Sequence, residues 1–399
     1  MLVASLRHQK APVIGILFEV LNRDLGLLFL CNVLGAFGDG LFSVQLPIYL
    51  SDNLKATATE IGILYAVMSL LAALTLLVAG LLADKYDRKK IMIAGWIAWI
   101  PAPLIFSIAG DWLQALPGMV LWGFWLGGPT TTAYIVATAN KAKMTLTFTT
   151  ISAAWSLGYI FSPALGGYMS AAVGMQYVFY SATIFYALAC ITLSFIRSQR
   201  ATNATCQTPQ EKQSSFQLLK NRKLMTLSVF FASLMFTLML FRPFMTKFVR
   251  DVYLYDNFHI GVLGSVLFFG SAILGIWLGR FGDRRRKSGA LAISLLMCSA
   301  STLIIVLSGN FSLLLVAFFV AGGSYLTWSL MGAIVAPLAP EPIRARWISI
   351  PQTLSMFTSF VAPYIGGVLY DASPYYPMYF AIALTFVIAL LSLLKVLDS

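Results

Sequence analysis

Charged side chains are scarce in this 399-residue sequence. Only 11% of its residues are Asp, Glu, Lys or Arg, whereas 59% are hydrophobic, and soluble globular proteins carry about 25% charged residues. A chain of this composition cannot cover itself with an ordinary aqueous surface, which excludes a soluble globular protein. Instead, apolar runs long enough to cross about 30 Å of hydrocarbon as helices recur along the whole sequence.

Histidine and cysteine are scarce as well. The two histidines, His8 and His259, are isolated, and the four cysteines show no paired spacing. Neither a metal site nor a disulfide framework is therefore indicated. The strings HExxH, GxSxG and GxxxxGK(S/T) do not occur. We therefore expect a protein that is not an enzyme and has no metal or other cofactor. Because GxxxxGK(S/T) is a nucleotide-binding loop, its absence also means that any active transport would be driven by an ion gradient, preferably of protons.

Twelve apolar runs are predicted to be transmembrane helices, numbered here as spans 1 to 12. They lie near residues 25–50, 59–83, 90–110, 114–139, 145–170, 175–196, 224–250, 259–280, 289–308, 312–337, 347–370 and 376–396. Most of the 27 Lys and Arg residues fall in the two termini or in the loops that follow the even-numbered spans. The positive-inside bias predicts that these segments are cytoplasmic, in the plasma membrane. We interpret the net charge of +12 as a surface that faces anionic membrane lipid, not nucleic acid.

The sequence also divides into two similar halves. A cytoplasmic N-terminal arm (1–23) precedes a six-helix bundle (24–196), and a polar cytoplasmic linker (197–223) precedes a second six-helix bundle (224–399). The halves align at a shift of 199 residues over about fifty positions, and "SPALGG" (162–167) aligns with "APYIGG" (362–367). Repeated bundles with a site between them are typical of transporters. The predicted fold is all-α, with twelve transmembrane helices in two pseudo-symmetric six-helix bundles.

Two motifs carry a resemblance to a known family. "GLLADKYDRKK" (80–90) follows span 2, and a degenerate copy, "GRFGDRRRKS" (279–288), follows span 8. This loop resembles the signature loop of the major facilitator superfamily, although Asp87 stands where the commonest form has Gly. Together with "GDGLFSVQLP" (38–47), it looks most like the drug, macrolide and siderophore exporters of that superfamily. The resemblance implies a monomeric transporter that exports small amphipathic or drug-like molecules in exchange for protons by alternating access.

The resemblance assigns a gating role to the loop after span 2 and to its copy after span 8. In that role Asp84 contacts Arg88 and the N-terminus of span 11 and closes the cytoplasmic side, while Gly80 allows a neighbouring helix to approach. Gly279 and Asp283 are the equivalent positions in the second half. The alternative is that the loop is only a solvated, basic topology signal.

Span 5 contains a second motif, "GYIFSPALGG" (158–167), which resembles a motif associated with exporters. Pro163 is predicted to bend the helix, and Gly158, Gly166 and Gly167 are predicted to permit tight packing against the other half. Ser162 replaces the usual Gly of that motif. Its echo in span 11, at Pro363, Gly366 and Gly367, leaves open the alternative that the motif is scaffold alone.

Asp39 lies at membrane mid-depth, whereas the other acidic residues lie near span ends, in loops or in tails; Glu60, for instance, fits a capping box with Thr57. Arg242 in span 7 is the corresponding intramembrane cation. The repeat aligns it with Ser43, one helical turn from Asp39, so the two charges differ in depth by only ~6 Å. We hypothesise that they face each other across a central cavity, and that making and breaking their pair takes up and releases a proton. The alternatives are a static ion pair, or an Asp39 that caps local backbone.

Further residues are expected to line the central cavity, because they lie in spans that border it in the superfamily. These are Gln45, Thr131, Tyr134, Trp155, Tyr325, Trp328, Gln352 and Met356. Aromatic side chains in membrane helices also serve as packing or interface anchors, which is the alternative for each of them. Span 4 lacks the arginine that many proton-coupled exporters carry. Three other functions also stay open: uptake of an anionic solute together with protons, with Arg242 as the counter-charge, export of lipid or metal, and sensing without transport.

Overall fold

The structure is a computed structural model that describes residues 21–140, 143–199, 220–335, 338 and 344–393, with the side chains of some residues in these ranges left undescribed. Residues 1–20 of the predicted N-terminal arm, most of the predicted linker and the last six residues lie outside this description. The described part of the chain is helical and contains no strand, as the sequence predicts. Because each helix satisfies its own backbone hydrogen bonds, such an architecture suits a hydrocarbon environment.

The first half provides spans 1 to 6. Their helices are Arg23–Ser43 and Leu46–Asp52 (span 1), Ala58–Lys85 (span 2), Arg88–Trp99 and Pro101–Ile108 (span 3), Trp112–Trp122 and Gly127–Thr138 (span 4), Met144–Ala172 (span 5) and Met175–Ser194 (span 6). Span 2 begins with the predicted capping box. The Thr57 side chain accepts from the Glu60 amide and the Glu60 carboxylate accepts from the Thr57 amide, which confirms that prediction.

The second half provides spans 7 to 12. Its segments are Arg222–Tyr253 (span 7), Asn257–Arg284 (span 8), Lys287–Leu307 (span 9), Phe311–Ala321, a 3-10 turn at Gly322–Leu326 and Thr327–Val335 (span 10), Arg344–Ala372 (span 11) and Tyr376–Leu393 (span 12). Within the described residues, ten of the twelve spans form helices long and apolar enough to cross a membrane. The other two are span 4, which is split into two short helices, and span 5, a 29-residue helix rich in Thr, Ser and Gly.

Spans 4 and 10 are interrupted at equivalent positions of the repeat. In span 4 the helix stops at Trp122 and resumes at Gly127, and in span 10 it passes through the 3-10 turn at Gly322–Leu326. A shift of 199 residues superimposes the two interruptions. Broken helices of this kind in repeated bundles lie next to substrate sites in many transporters.

Glycine contacts show the same pseudo-symmetry at atomic detail. A Cβ atom added at each of the following glycines would lie 1.8–2.4 Å from a carbonyl oxygen of a neighbouring helix: Gly166 from Leu41 and Gly366 from Leu240, Gly261 from Pro163 and Gly62 from Pro363, and Gly167 from Asn257 and Gly367 from Ala58. Within each pair the residues correspond by the 199- or 200-residue shift. The halves therefore meet where span 5 crosses span 8 and where span 2 crosses span 11, and no larger residue fits at these crossings.

The motif glycines of spans 5 and 11 thus divide between two roles. Gly167 and Gly367 pack against the other half, as predicted. Gly166 and Gly366 instead pack within their own half, and so does Gly158, whose added Cβ would lie 2.6 Å from that of Ala36 in span 1. Span 5 continues through Pro163 as one helix.

One end of the molecule joins the two halves. We call it the closed end; it contains residues 53–57 and 254–256 and the ends of spans 5 and 11. The described hydrogen bonds and ion pairs between the halves lie at this end or near mid-depth: Lys247 with Ser51, Arg250 with Asp52, Asp371 with Ala58 and Thr59, Asn257 with Ser170, Thr246 with Val44, and the Ala164 amide with Ser265.

The opposite end, called the basic end, contains the two predicted gating loops. There Gly275 and Gly279 of span 8 have no atom within 4 Å of an added Cβ. Asp283 is exposed, with no described hydrogen bond or ion pair. No hydrogen bond or ion pair between described residues joins the two halves at this end.

Candidate functional site

Asp39 is enclosed because glycines flank it. A Cβ at Gly38 would lie 2.9 Å from Phe185 of span 6, and one at Gly40 would lie 2.0 Å from the hydroxyl of Ser162 in span 5. Any larger residue at these positions would push spans 5 and 6 away from span 1. The "GDG" sequence thus allows two helices to close around the aspartate, whose exposed fraction is only 6%.

Three neutral side chains donate hydrogen bonds to the Asp39 carboxylate. The indole nitrogen of Trp122 in span 4 lies 2.7 Å from Oδ1, the hydroxyl of Tyr186 in span 6 also donates to Oδ1, and the hydroxyl of Tyr159 in span 5 donates to Oδ2. Hydrogen bonds to a charged group contribute about 1.5–3 kcal/mol each. Three of them together match the few kcal/mol by which insertion scales penalise a carboxylate at mid-depth. These three donors therefore offset part of the cost of a charged Asp39, which has no cation among its described partners.

Arg242 does not pair with Asp39 in this structure, and the hypothesised making and breaking of that pair stays a prediction. Its Nη2 atom donates to the carbonyl oxygen of Ser324 at 3.1 Å and to the Ser324 hydroxyl at 2.9 Å. Its guanidinium lies 4.3 Å from the ring centroid of Tyr325. Both partners belong to the 3-10 turn of span 10, so neutral groups of the second half stabilise this cation. Neither Asp39 nor Arg242 has a counter-charge within the described ion pairs.

A row of aromatic rings joins the two charges. The ring of Tyr159, which holds Asp39, lies 4.2 Å from that of Phe268 in span 8, and Phe268 lies 5.4 Å from Tyr325, on which Arg242 rests. The row crosses from the first half to the second between Tyr159 and Phe268. Sequence reasoning identified both charges and Tyr325 but missed Tyr159 and Phe268, because helical spacing does not tell which aromatic residues meet across a bundle.

A cavity of about 180 Å³ lies beside the Asp39 site, inside the first half. It is lined by four tryptophans (Trp96, Trp99, Trp125 and Trp155), by Phe124 and Phe148, and by the polar side chains of Asn32, Thr131, Thr132 and Ser152. No described Asp, Glu, Lys or Arg lines it. The cavity contacts the site through its walls: Trp96 and Trp99 lie 5.7 and 5.8 Å from Tyr186, and Trp155 stacks on Tyr159 at 6.2 Å.

The residues expected to line the cavity fall in different places. Thr131 and Trp155 line this cavity. Tyr325 and Trp328 are exposed by 36% and 38%, and Gln352 and Met356 are half-buried. Tyr134 turns into the bundle and donates to the Arg197 carbonyl oxygen, and Gln45 is buried at the closed end beside a separate cavity of about 20 Å³. Of the eight expected residues, only Thr131 and Trp155 therefore line the aromatic cavity, and the other six do not.

The predicted gating loop is only partly described. Gly80 and Asp84 lie on the helix of span 2, but the surroundings of Gly80 and the side chain of Asp84 are not described, so the Asp84 latch stays a prediction. Arg88 donates to the carbonyl oxygen of Ala133 in span 4 and to the side chain of Gln199 at the start of the linker. Asp87 caps the helix of span 3 by accepting from the Lys89 amide, and it also accepts from Ser198 and Gln199. Burial tends to raise the pKa of Asp87, but these hydrogen bonds outweigh it and lower the pKa.

The closed end contains a charged network that sequence reasoning did not find. Lys247 of span 7 is buried; its Nζ lies 2.8 Å from the carboxylate of Asp251 and 2.7 Å from the hydroxyl of Ser51. Asp371, at the end of span 11, accepts from the amides of Ala58 and Thr59 at 2.9 and 2.8 Å. A carboxylate of the second half thus binds the positive N-terminus of span 2 in the first half.

Comparisons with known proteins agree with this architecture. The chain is 25% identical to the quinolone resistance protein NorA of Staphylococcus aureus (strain Mu50 / ATCC 700699) over 379 residues, which cover 92% of this chain and 94% of that protein. It is 23% identical to multidrug resistance protein 2 of Bacillus subtilis (strain 168) over 388 residues, which cover 90% and 92%.

Solved transporter structures share its fold. A mutant of the nucleoside transporter NupG superimposes with a TM-score of 0.81 at 14% identity, covering 93% of this chain and 99% of that one. A POT family transporter in complex with 5-aminolevulinic acid gives 0.72 at 15% identity, covering 96% and 97%. The family model of the Major Facilitator Superfamily matches residues 28–256 and 250–399. The chain is a multi-pass membrane transporter and belongs to the major facilitator superfamily.

Proposed function

We propose that this protein exports planar amphipathic molecules across the plasma membrane in exchange for protons, and that Asp39 is the group that carries the proton. The observation behind the proposal is the Asp39 site: a buried carboxylate held by Trp122, Tyr159 and Tyr186, with no cation among its described partners. A proton removes the charge of such a carboxylate without breaking an ion pair. The two protonation states can then differ little in free energy, as a reversible proton carrier requires.

The proposed direction of transport follows from the two ends of the molecule. By the positive-inside bias, the basic end is cytoplasmic and both termini lie on that side. Because the described contacts between the halves lie at the closed end, we assign the structure in this proposal to the cytoplasm-facing state. The aromatic cavity lies toward the open side, where a molecule from the cytoplasm or the inner leaflet can enter. The proton gradient supplies the free energy, and the working unit is a monomer that needs no cofactor and no partner besides membrane lipid.

The cavity supports the proposed class of substrate. Four tryptophans offer flat apolar faces, while Asn32, Thr131, Thr132 and Ser152 offer hydrogen bonds without a fixed charge. Asn32 is 92% buried and has no described hydrogen-bond partner, so its amide is available to a ligand. Such a surface suits planar molecules with a few polar groups and imposes little further selection. The names of the two relatives, which refer to quinolone and multidrug resistance, agree with this choice.

Transport in proteoliposomes with an imposed pH gradient tests the proposal. The purified protein is supplied with a quinolone, a planar lipophilic cation and an organic anion. We expect the first two to be accumulated against their own concentration gradients while protons move down theirs. The Asp39→Asn variant should lose this accumulation and still bind substrate. If Asp39→Asn retained uphill transport with the same pH dependence, proton carriage by Asp39 would be refuted.

A second function is uptake of an anionic solute together with protons. One observation favours it: Arg242 is held by Ser324 and Tyr325 and has no carboxylate partner in the described ion pairs, so it can bind an anion. The same experiment separates the two functions. Movement of the organic anion along the proton gradient, with no movement of the other two probes, would favour uptake.

A further inference from the structure

Tyr159 is distinguished from the other partners of Asp39 because it also contacts the opposite half of the protein. Its hydroxyl donates to Asp39 Oδ2, while its ring lies 4.2 Å from the ring of Phe268 in span 8. Tyr186 and Trp122 donate to Oδ1, and their described ring contacts stay within the first half. The position of Tyr159 therefore depends both on the charge state of Asp39 and on the contact between the halves.

The two carboxylate oxygens are not equivalent sites for a proton. Oδ1 already accepts two hydrogen bonds, and one of them comes from the indole of Trp122, which can donate but cannot accept. Oδ2 accepts only from Tyr159 among the described residues. A proton that binds Asp39 is thus best accommodated on Oδ2. The hydroxyl of Tyr159 must then reverse its role and accept from the acid, or leave it, because two donors cannot point at each other.

From this arrangement we propose that Tyr159 is a positioning residue that transmits the protonation of Asp39 to the interface between the halves. With Asp39 ionised, the carboxylate holds the phenol so that its ring packs on Phe268. When a proton from water binds Oδ2, the hydrogen bond from Tyr159 is lost or reversed, and no covalent bond of Tyr159 changes. The ring then loosens from Phe268, and through Phe268 and Tyr325 the change reaches Arg242. This inference rests on the proposed role of Asp39.

Few other ionisable groups face this site. Besides Tyr159 from span 5 and Tyr186 from span 6, Tyr65 of span 2 lies close enough to interact electrostatically with Asp39. Span 4 contributes Trp122, which does not titrate. In the second half the nearest charge along the aromatic row is Arg242, which stays bound to Ser324. Protonation of Asp39 is therefore the ionisation change that the aromatic row of Tyr159, Phe268 and Tyr325 would transmit.

Two matched phenylalanine variants separate transmission from simple loss of a hydrogen bond. Tyr159→Phe and Tyr186→Phe each remove one hydroxyl that donates to Asp39, but only position 159 contacts the second half. We expect Tyr159→Phe to lower uphill, proton-driven accumulation about tenfold, the size of effect that loss of a hydrogen bond to a charged group produces. Substrate counterflow without a pH gradient should persist. Tyr186→Phe should shift the pH profile of transport and remain coupled to protons.

Changes on the other side of the interface complete the test. Phe268→Leu leaves every described hydrogen bond of Asp39 in place, yet it should uncouple transport as Tyr159→Phe does. The double variant of the two should be no worse than either alone, because they interrupt one connection. Phe269→Leu is the control, since the Phe269 ring contacts Phe319 within the second half. If Tyr159→Phe and Phe268→Leu both stayed fully coupled to protons while Asp39→Asn lost coupling, the proposed transmission would be overturned and Asp39 would remain the proton carrier. If Asp39→Asn itself stayed coupled, the transmission and the proton-carrier role of Asp39 would both be overturned.

Discussion

Asp371 offers a direct test of how the closed end is held together. Its carboxylate, on span 11 of the second half, accepts from the amides of Ala58 and Thr59 and from the Thr59 hydroxyl at the start of span 2. Opening this end must separate these groups. Asp371→Ala should therefore destabilise the closed end relative to a state in which it is open.

The magnitude follows from known values for helix N-termini. Removal of a side chain that caps a helix costs about 0.5–2 kcal/mol, and the charge contributes about 0.3–1 kcal/mol through the helix dipole. Asp371 is exposed, which favours the lower part of both ranges, so we take ~1.4 kcal/mol. That value corresponds to a roughly tenfold change in the ratio of the two conformations.

Spin labels across the closed end measure this ratio. Val173 in the first half and Tyr376 in the second are exposed and lie at that end, so cysteines at both positions, in a background without the native cysteines, report the separation. We expect Asp371→Ala to increase the population with the longer distance. Glu60→Ala is the matched control, because Glu60 caps the same helix but belongs to the first half. Glu60→Ala should leave the distance distribution unchanged. If Asp371→Ala also left it unchanged, Asp371 would not hold the closed end.

Three further predictions concern packing, pH and ligand binding. Gly166→Ala should prevent correct folding, because the added Cβ would lie 1.8 Å from the Leu41 carbonyl oxygen. Gly275→Ala is the control, since its Cβ would meet no atom within 4 Å. The yield of monodisperse protein measures the difference between the two variants. The amide and side chain of His259 lower the pKa of Asp256, which caps span 8. The ionised Asp256 therefore stabilises the fold above the ordinary carboxyl pKa of about 4, and this stabilisation is lost as the pH falls through the lowered pKa of Asp256. The melting temperatures of Asp256→Asn and of the unmodified protein should accordingly differ at neutral pH and converge in acid. Trp155→Ala should weaken binding of a planar ligand about tenfold, as measured by titration, whereas the same change at exposed Trp277 should not.

Comparison of sequence and structure shows which inferences could be made locally. The capping box of Thr57 and Glu60 was predictable because its partners are three residues apart in one turn. The repeat was predictable because both halves keep the same glycines, and its contacts, such as Gly166 with Leu41 and Gly366 with Leu240, then appear in both halves. The hypothesised pair of Asp39 and Arg242 was not found, because each charge finds neutral partners in its own half.

The sequence by itself determined that this chain is a helical membrane protein, that it consists of two repeated bundles, and that one acid and one base lie at mid-depth. These properties depend on residue type and spacing along single helices, since in hydrocarbon each helix must satisfy its own backbone. Only the tertiary structure decided that Tyr159, Tyr186 and Trp122 surround Asp39, that Asp371 joins span 11 to span 2, and which end is closed. Those contacts depend on how helices rotate and cross, and side chains on different helices have no fixed separation in sequence.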